Sequence, residues 1–121
     1  MKRKIIDFDV FDEEWNEGTS FHISNGNPAE VLKGSDLISK RKSIEIQFDY
    51  PLGSVPTFVL KRRAGAKGIT RRVFAAFVQR IYRKIYANEE RYGIWGHDIG
   101  DLALEGAQER KPGKFKLLVG S

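Results

Sequence analysis

The chain has no cysteine, which excludes a disulfide framework and any thiolate metal site and leaves packing as the source of stability. Its two histidines, His22 and His97, are too few for a catalytic zinc, where three protein ligands with histidine prominent are usual. Uncharged apolar stretches extend only a few residues, against the roughly 20 with which a helix crosses a bilayer, so no membrane span is expected. Met1-Lys2-Arg3-Lys4-Ile5-Ile6 opens like a basic leader, but Asp7, Asp9 and Asp12 interrupt the hydrophobic region that should follow; the expectation is an intracellular chain, cytoplasmic or nuclear. No serine sits in a nucleophile elbow, and no loop of the form G-x-x-x-x-G-K-[ST] occurs. Between Tyr50 and Asn88 there is no acid.

That last absence organises the charge. Residues 1–49 carry seven basic against ten acidic groups, and residues 89–121 five against six. The middle segment carries Lys61, Arg62, Arg63, Lys67, Arg71, Arg72, Arg80, Arg83 and Lys84 with nothing to offset them. A block of one sign this dense favours a polyanion or an acidic protein surface. The 121 residues, 40% of them hydrophobic with eight Phe, four Tyr and two Trp, suffice for one core, so a single domain over 1–121 is expected.

Hydrophobic periodicity predicts mostly strands and one long helix. Ile6, Phe8 and Val10 alternate with Asp7 and Asp9 as a first strand; Asp12 to Gly18 reads as an acidic loop, Phe21–Ile23 as a short strand and Asn25-Gly26-Asn27-Pro28 as a turn. Ile44, Ile46, Phe48 and Tyr50 alternate with polar residues, and after a reversal at Pro51–Pro56 the segment Thr57–Lys61 reads as the antiparallel partner. Thr70 is placed to cap a helix running to about Asn88, with Ile69 and Phe74 as a hydrophobic staple. Val73, Phe74, Phe77, Val78, Ile81 and Ile85 share one helical face, and Arg72, Ala76, Gln79, Arg80 and Arg83 lie opposite. Asp98 reads as the cap of a second, short helix through Leu104, and Lys114–Val119 as a last strand after the Pro112-Gly113 turn. The fold expected is α+β, an antiparallel sheet packed against one long amphipathic helix, with a second short helix.

Four groups of residues bear on chemistry. Gly65-Ala66-Lys67-Gly68-Ile69-Thr70 enters the long helix, whose free N–H groups and dipole favour an anion, with Arg62, Arg63, Lys67, Arg71 and Arg72 around that end. Asp7-Phe8-Asp9-Val10 matches the D-x-D-x-[TV] start of haloacid-dehalogenase-like phosphatases over four residues, but such enzymes need a larger doubly wound domain, and the charged face of an edge strand accounts for the acids. His97, Asp98, Asp101 and Glu105 suggest a metal or acid/base cluster, since three- and four-residue spacing puts the three carboxylates near one helix face, but capping by Asp98 and ordinary solvation explain the acids. Tyr82, Tyr86, Tyr92 and Trp95 stand among cations as base-stacking residues would, yet aromatics at helical spacing belong first to a core.

The string Tyr92-Gly93-Ile94-Trp95-Gly96-His97-Asp98-Ile99, continued by Asp101, Leu102, Leu104 and Glu105 and preceded by Phe48-Asp49-Tyr50-Pro51-Leu52, resembles a family of short uncharacterised proteins from giant DNA viruses and some eukaryotes. The resemblance covers about the last two-thirds of the chain and implies a viral or virion-associated role, with no activity, cofactor or catalytic residue to carry over. The residues themselves lead to a non-enzymatic module whose nine cations contact nucleic-acid backbone without base specificity, needing neither cofactor nor metal. The alternative is an interaction or structural protein, a homodimer or virion component, in which edge strands or the acidic Asp7–Glu17 segment meet a second copy. A small metal-dependent hydrolase using Asp98, Asp101 or Glu105 is the third reading.

Overall fold

A computed structural model describes residues 4–14 and 17–121. The start of the basic opening, residues 1–3, and the middle of the expected acidic loop, residues 15–16, lie outside the described residues. In chain order the elements are β1 (Ile5–Ile6), β2 (Asp9–Asp12), β3 (Glu17–His22), a 3-10 turn (Pro28–Glu30), β4 (Leu37–Ser39), β5 (Ser43–Gln47) and β6 (Thr57–Lys61). There follow β7 (Ile69–Thr70), α1 (Arg71–Tyr86), α2 (Glu89–Tyr92), a 3-10 turn (Ile99–Asp101), β8 (Ala103–Lys111) and β9 (Lys114–Gly120).

The class is α+β, but the sheet is mixed rather than antiparallel. Its strands run β2-β3-β8-β9-β5-β6, with β1 beside the second half of β8, and β5 lies parallel to β9 with Ile46 opposite Phe115. Parallel neighbours need a long crossover. Here the path from β5 to β9 includes α1, whose buried stripe packs on the sheet. A separate two-stranded ladder, β4–β7, pairs Leu37 with Thr70 and Ser39 with Ile69.

Strand β5 has the expected alternation, with Ile44 and Ile46 buried and Ser43, Glu45 and Gln47 exposed, and β6 pairs with it antiparallel. Helix α1 begins where Thr70 Oγ1 accepts the Val73 N–H at 3.2 Å, and both staple residues, Ile69 and Phe74, are buried. Phe74 stacks on Phe8 at 5.1 Å and meets the edge of Phe115 at 5.6 Å, joining the N-terminal segment, the helix and the last strand in one core. Two helix positions depart from the periodic reading. Val73 is 41% exposed, whereas Gln79 is only 6% exposed because its Nε2 donates to the Gly26 carbonyl at 2.7 Å and ties the helix to the Asn25–Gly26 turn.

The expected first strand is two strands. Phe8 points inward as the alternation requires, but the ladder breaks at Asp7–Phe8: β1 pairs with β8, whereas β2 turns back onto β3. The ends of the expected Asp12–Gly18 loop are strand instead, with Asp12 paired to Glu17 and Phe11 to Gly18 in that β2–β3 hairpin. The helix expected from Asp98 to Leu104 is one 3-10 turn followed by strand. Leu104 pairs with Phe21 on one side and Val119 on the other, so ladder bonds on both edges of β8 override the local helix signal. The second short helix is instead α2, ended by Gly93 at φ 64°. Among the described residues no helix is long and apolar enough to cross a membrane.

Two tyrosines of α1 carry a pH signature. Burial, then the Asp49 charge, drives the Tyr82 hydroxyl upward as it donates to the Tyr50 carbonyl at 2.7 Å; burial, then the Asp98 and Glu89 charges, pushes Tyr86 up to about 12. Because the folded state keeps protons that the unfolded chain loses near pH 10, the stability they lend is full below pH 10 and is lost as pH rises toward 12. An absorbance titration at 295 nm should therefore show Tyr86 ionising only well above pH 10 and Tyr82 only as the fold melts; titration of both near pH 10 with ellipticity intact would contradict the packing.

Candidate functional site

The basic block is brought largely onto one side of the molecule. After β6 the chain leaves the sheet edge through 62–68 and returns as β7, so Lys61, Arg62 and Arg63 lie across from the outward face of α1. Between them runs a groove of about 420 Å³, whose helix side is Val73, Ala76, Phe77 and Arg80. Among the described residues four cations and no carboxylate line it. The exposure of Val73 gains a reason here, since it contributes apolar floor beneath charged rims. Arg80 is held over the Phe77 ring at 5.3 Å, and Arg62 Nη1 donates to the Lys40 carbonyl at 3.2 Å, so two of the rim cations are fixed by interactions of their own.

The other predicted cations divide. Lys67 is exposed on the returning side of the 62–68 loop, and Arg72, Arg83 and Lys84 are exposed along the outward face of α1. Arg83 donates Nη2 to the Ser24 carbonyl at 2.9 Å, which turns it toward the Asn25–Gly26 side. Arg71 does not belong to this surface. It stands three, four and seven residues before Phe74, Ala75 and Val78 on the sheet-facing stripe and is buried, with 8% of its surface exposed. It alone of the nine approaches an acid among the described residues, Asp36 Oδ2, at 3.9 Å. Among those residues the N-terminal carboxylates form no ion pair with the other eight.

The anion site expected at the helix entrance is also corrected. The N–H groups of Arg71 and Arg72 donate to the Asp36 and Gly34 carbonyls, both at 2.9 Å, and that of Val73 to Thr70 Oγ1. Three donors of the helix N-terminus are thus taken by the 34–36 turn and the Thr70 hydroxyl, which leaves the side chains around the groove as its charged groups.

The His97, Asp98, Asp101 and Glu105 group is taken apart by the fold. Asp101 Oδ2 accepts the Asp98 N–H at 3.1 Å in a capping exchange, Glu105 is on β8, and His97 lies beside Tyr50 and Trp95, with Nε2 3.4 Å from Ser121 Oγ. Among the described residues no three His, Asp or Glu side chains are placed to hold one metal ion. The Asp7-Phe8-Asp9-Val10 segment sits between strands that pair antiparallel, with Asp7 exposed, unlike the buried parallel strand that presents a phosphatase aspartate. Burial, then the neighbouring Asp7 charge, raises the Asp9 carboxyl against the opposing pull of Arg71. Tyr82 and Tyr92 are core residues, whereas Trp95 is 52% exposed against Tyr50 at 5.6 Å, not buried as its size suggested.

Local sequence could not announce the cations Lys4, Lys40, Arg41, Arg110 and Lys111, which three separate segments bring beside Arg71; each lies in a stretch whose net charge is negative. Comparison with family models, curated proteins and solved structures finds no match to this chain.

Proposed function

We propose that the chain is a non-enzymatic binding module whose groove between Lys61–Arg63 and Arg80 contacts the phosphate backbone of a nucleic acid without reading its sequence. The observation that carries this reading is the groove itself: four rim cations, an apolar floor and no acid, flanked by Arg72, Arg83 and Lys84 on the same helix. A row of adjacent cations suits a repeating polyanion, and side-chain contacts to phosphate fix position without carrying base information. The other cations of the sheet serve less well: Lys114 and Lys116 lie 3.8 and 3.7 Å from Glu45 and Asp49, which offset them.

Fluorescence anisotropy of labelled duplex and single-stranded DNA across a salt series tests the reading. Four phosphate contacts give a log–log slope of about −3.6 on duplex, with little difference between sequences. Binding that ignores salt, or no binding at about 50 mM salt, removes it.

A second reading, self-association, draws on the edge strand β6, where Val59 is 50% exposed beside exposed Val55. It predicts a dimer by light scattering that Val59→Lys returns to monomer; a monomer at all concentrations excludes it. A virion-associated role would fit either reading and awaits the partner.

A further inference from the structure

The β4–β7 ladder separates the groove from a second concave surface, and the two differ in what lies at their base. On the β4 side an open cleft of about 930 Å³ is bounded by Leu37–Arg41 on one wall and Glu109–Pro112 on the other. Arg71 lines it. Its Nε and Nη1 are sealed from water without any hydrogen-bond acceptor, and its nearest carboxylate oxygen, on Asp36, is 3.9 Å away on a side chain that is 59% exposed. A guanidinium carries five N–H donors in a planar fork, and one kept out of water with so little to bond is a costly arrangement unless something else completes it.

The surroundings indicate what completes it. Lys40 and Arg41 come from one wall and Lys4, Arg110 and Lys111 from the other, whereas among the described residues the carboxylates are only Asp36 and Glu109. Glu109 is engaged elsewhere, its Oε2 accepting the Gly113 N–H at 2.8 Å. Arg41 is set in place by a glycine: a Cβ on Gly113, which sits at φ 75°, would lie 2.9 Å from Arg41 Cδ and 3.2 Å from its Nε. The bare turn lets the Arg41 chain cross the β8–β9 hairpin.

We infer that this cleft is a binding site for the terminal phosphate of a small ligand, with Arg41, Lys40 and Lys111 as its contacts and the uncompensated charge of Arg71 beneath them. A phosphate monoester offers three acceptor oxygens and close to two negative charges, which matches a guanidinium short of acceptors among further cations. The site is independent of the groove, sharing none of its cations.

The test is an amide NMR titration of the full chain with inorganic phosphate and with ribose 5-phosphate at constant ionic strength, ribose serving as control. The expected result is saturable shifts at Asp36–Arg41, at Arg110–Gly113 and at the Arg71 Nε–H, with none from ribose. A response to both anions assigns recognition to the phosphate group alone, and a response to ribose 5-phosphate only assigns it to a phosphate ester; either carries the inference. Arg41→Ala, an exposed position, should weaken binding about tenfold by removing one charge-assisted hydrogen bond. Arg71→Met should abolish binding while the melting temperature in phosphate-free buffer holds or rises, which an arginine kept for structure alone would not allow. Shifts no larger than chloride produces, or shifts gathered at Lys61–Arg63 and Arg80, would overturn the assignment, and Arg41→Ala keeps it testable if Arg71→Met fails to fold.

Discussion

Phe74→Ala should cost about 3–5 kcal/mol, a large part of the total of about 5–15 kcal/mol that holds a domain of this kind. The ring is wholly buried and touches two others, Phe8 from the N-terminal segment and Phe115 from β9, so its removal opens a cavity where three distant parts of the chain meet. The cost is high because the walls cannot collapse together: Phe8 is pinned by its carbonyl, which accepts the Phe21 N–H at 3.1 Å, and Phe115 by the parallel ladder to Ile46. Thermal melting should fall by roughly 10–20 °C. Val73→Ala, one residue earlier but facing water, should change stability by only about 0.5 kcal/mol. Equal effects at the two positions would mean that α1 does not sit on the sheet as described.

The second large effect concerns binding. Replacing Arg63 and Arg80 together by Glu should weaken duplex DNA binding at least about a hundredfold, since hydrogen bonds to charged groups contribute about 1.5–3 kcal/mol each and the new carboxylates add repulsion. Both side chains are exposed, and the fold gives up little beyond the packing of Arg80 on the Phe77 ring, so melting should barely move. The matched reversal of Lys114 and Lys116, which face Glu45 and Asp49 on the sheet, should leave DNA affinity within about threefold through the weaker long-range field alone. Loss of binding in both double variants would point to net charge rather than to the groove.

The residues show why parts of this architecture could be read in advance. Strand β5 and helix α1 have strong periods of two and 3.6 residues together with a capping threonine, so local preference and tertiary packing agree. The segment from Asp98 to Leu104 has a helix-start signal equally good locally, yet it gives one 3-10 turn at Ile99–Asp101 and is strand from Ala103, because Leu104 is paired on both edges. Nothing nearby in sequence states that β3 and β9 will be there. The parallel β5–β9 pairing is likewise a product of crossover, joining residues about 70 apart in the chain.

The candidate site divides in the same way. Charge segregation pointed to the middle third, and eight of its nine cations do remain clear of carboxylates among the described residues. The ninth, Arg71, could have been separated by its phase with Phe74 and Val78 in the apolar stripe, but the excess of positive charge drew attention to sign rather than to direction. Its cleft was beyond reach, because Lys4, Arg41 and Lys111 become neighbours only through β1, the turn after β4 and the end of β8.

The groove claim is tested most directly by the salt dependence of duplex DNA affinity in three proteins measured side by side. The account predicts a log–log slope of about −3.6 for the unaltered chain, about −1.8 for Arg63→Ala with Arg80→Ala, and no change for Lys114→Ala with Lys116→Ala. A slope that stays the same when Arg63 and Arg80 are removed would contradict it.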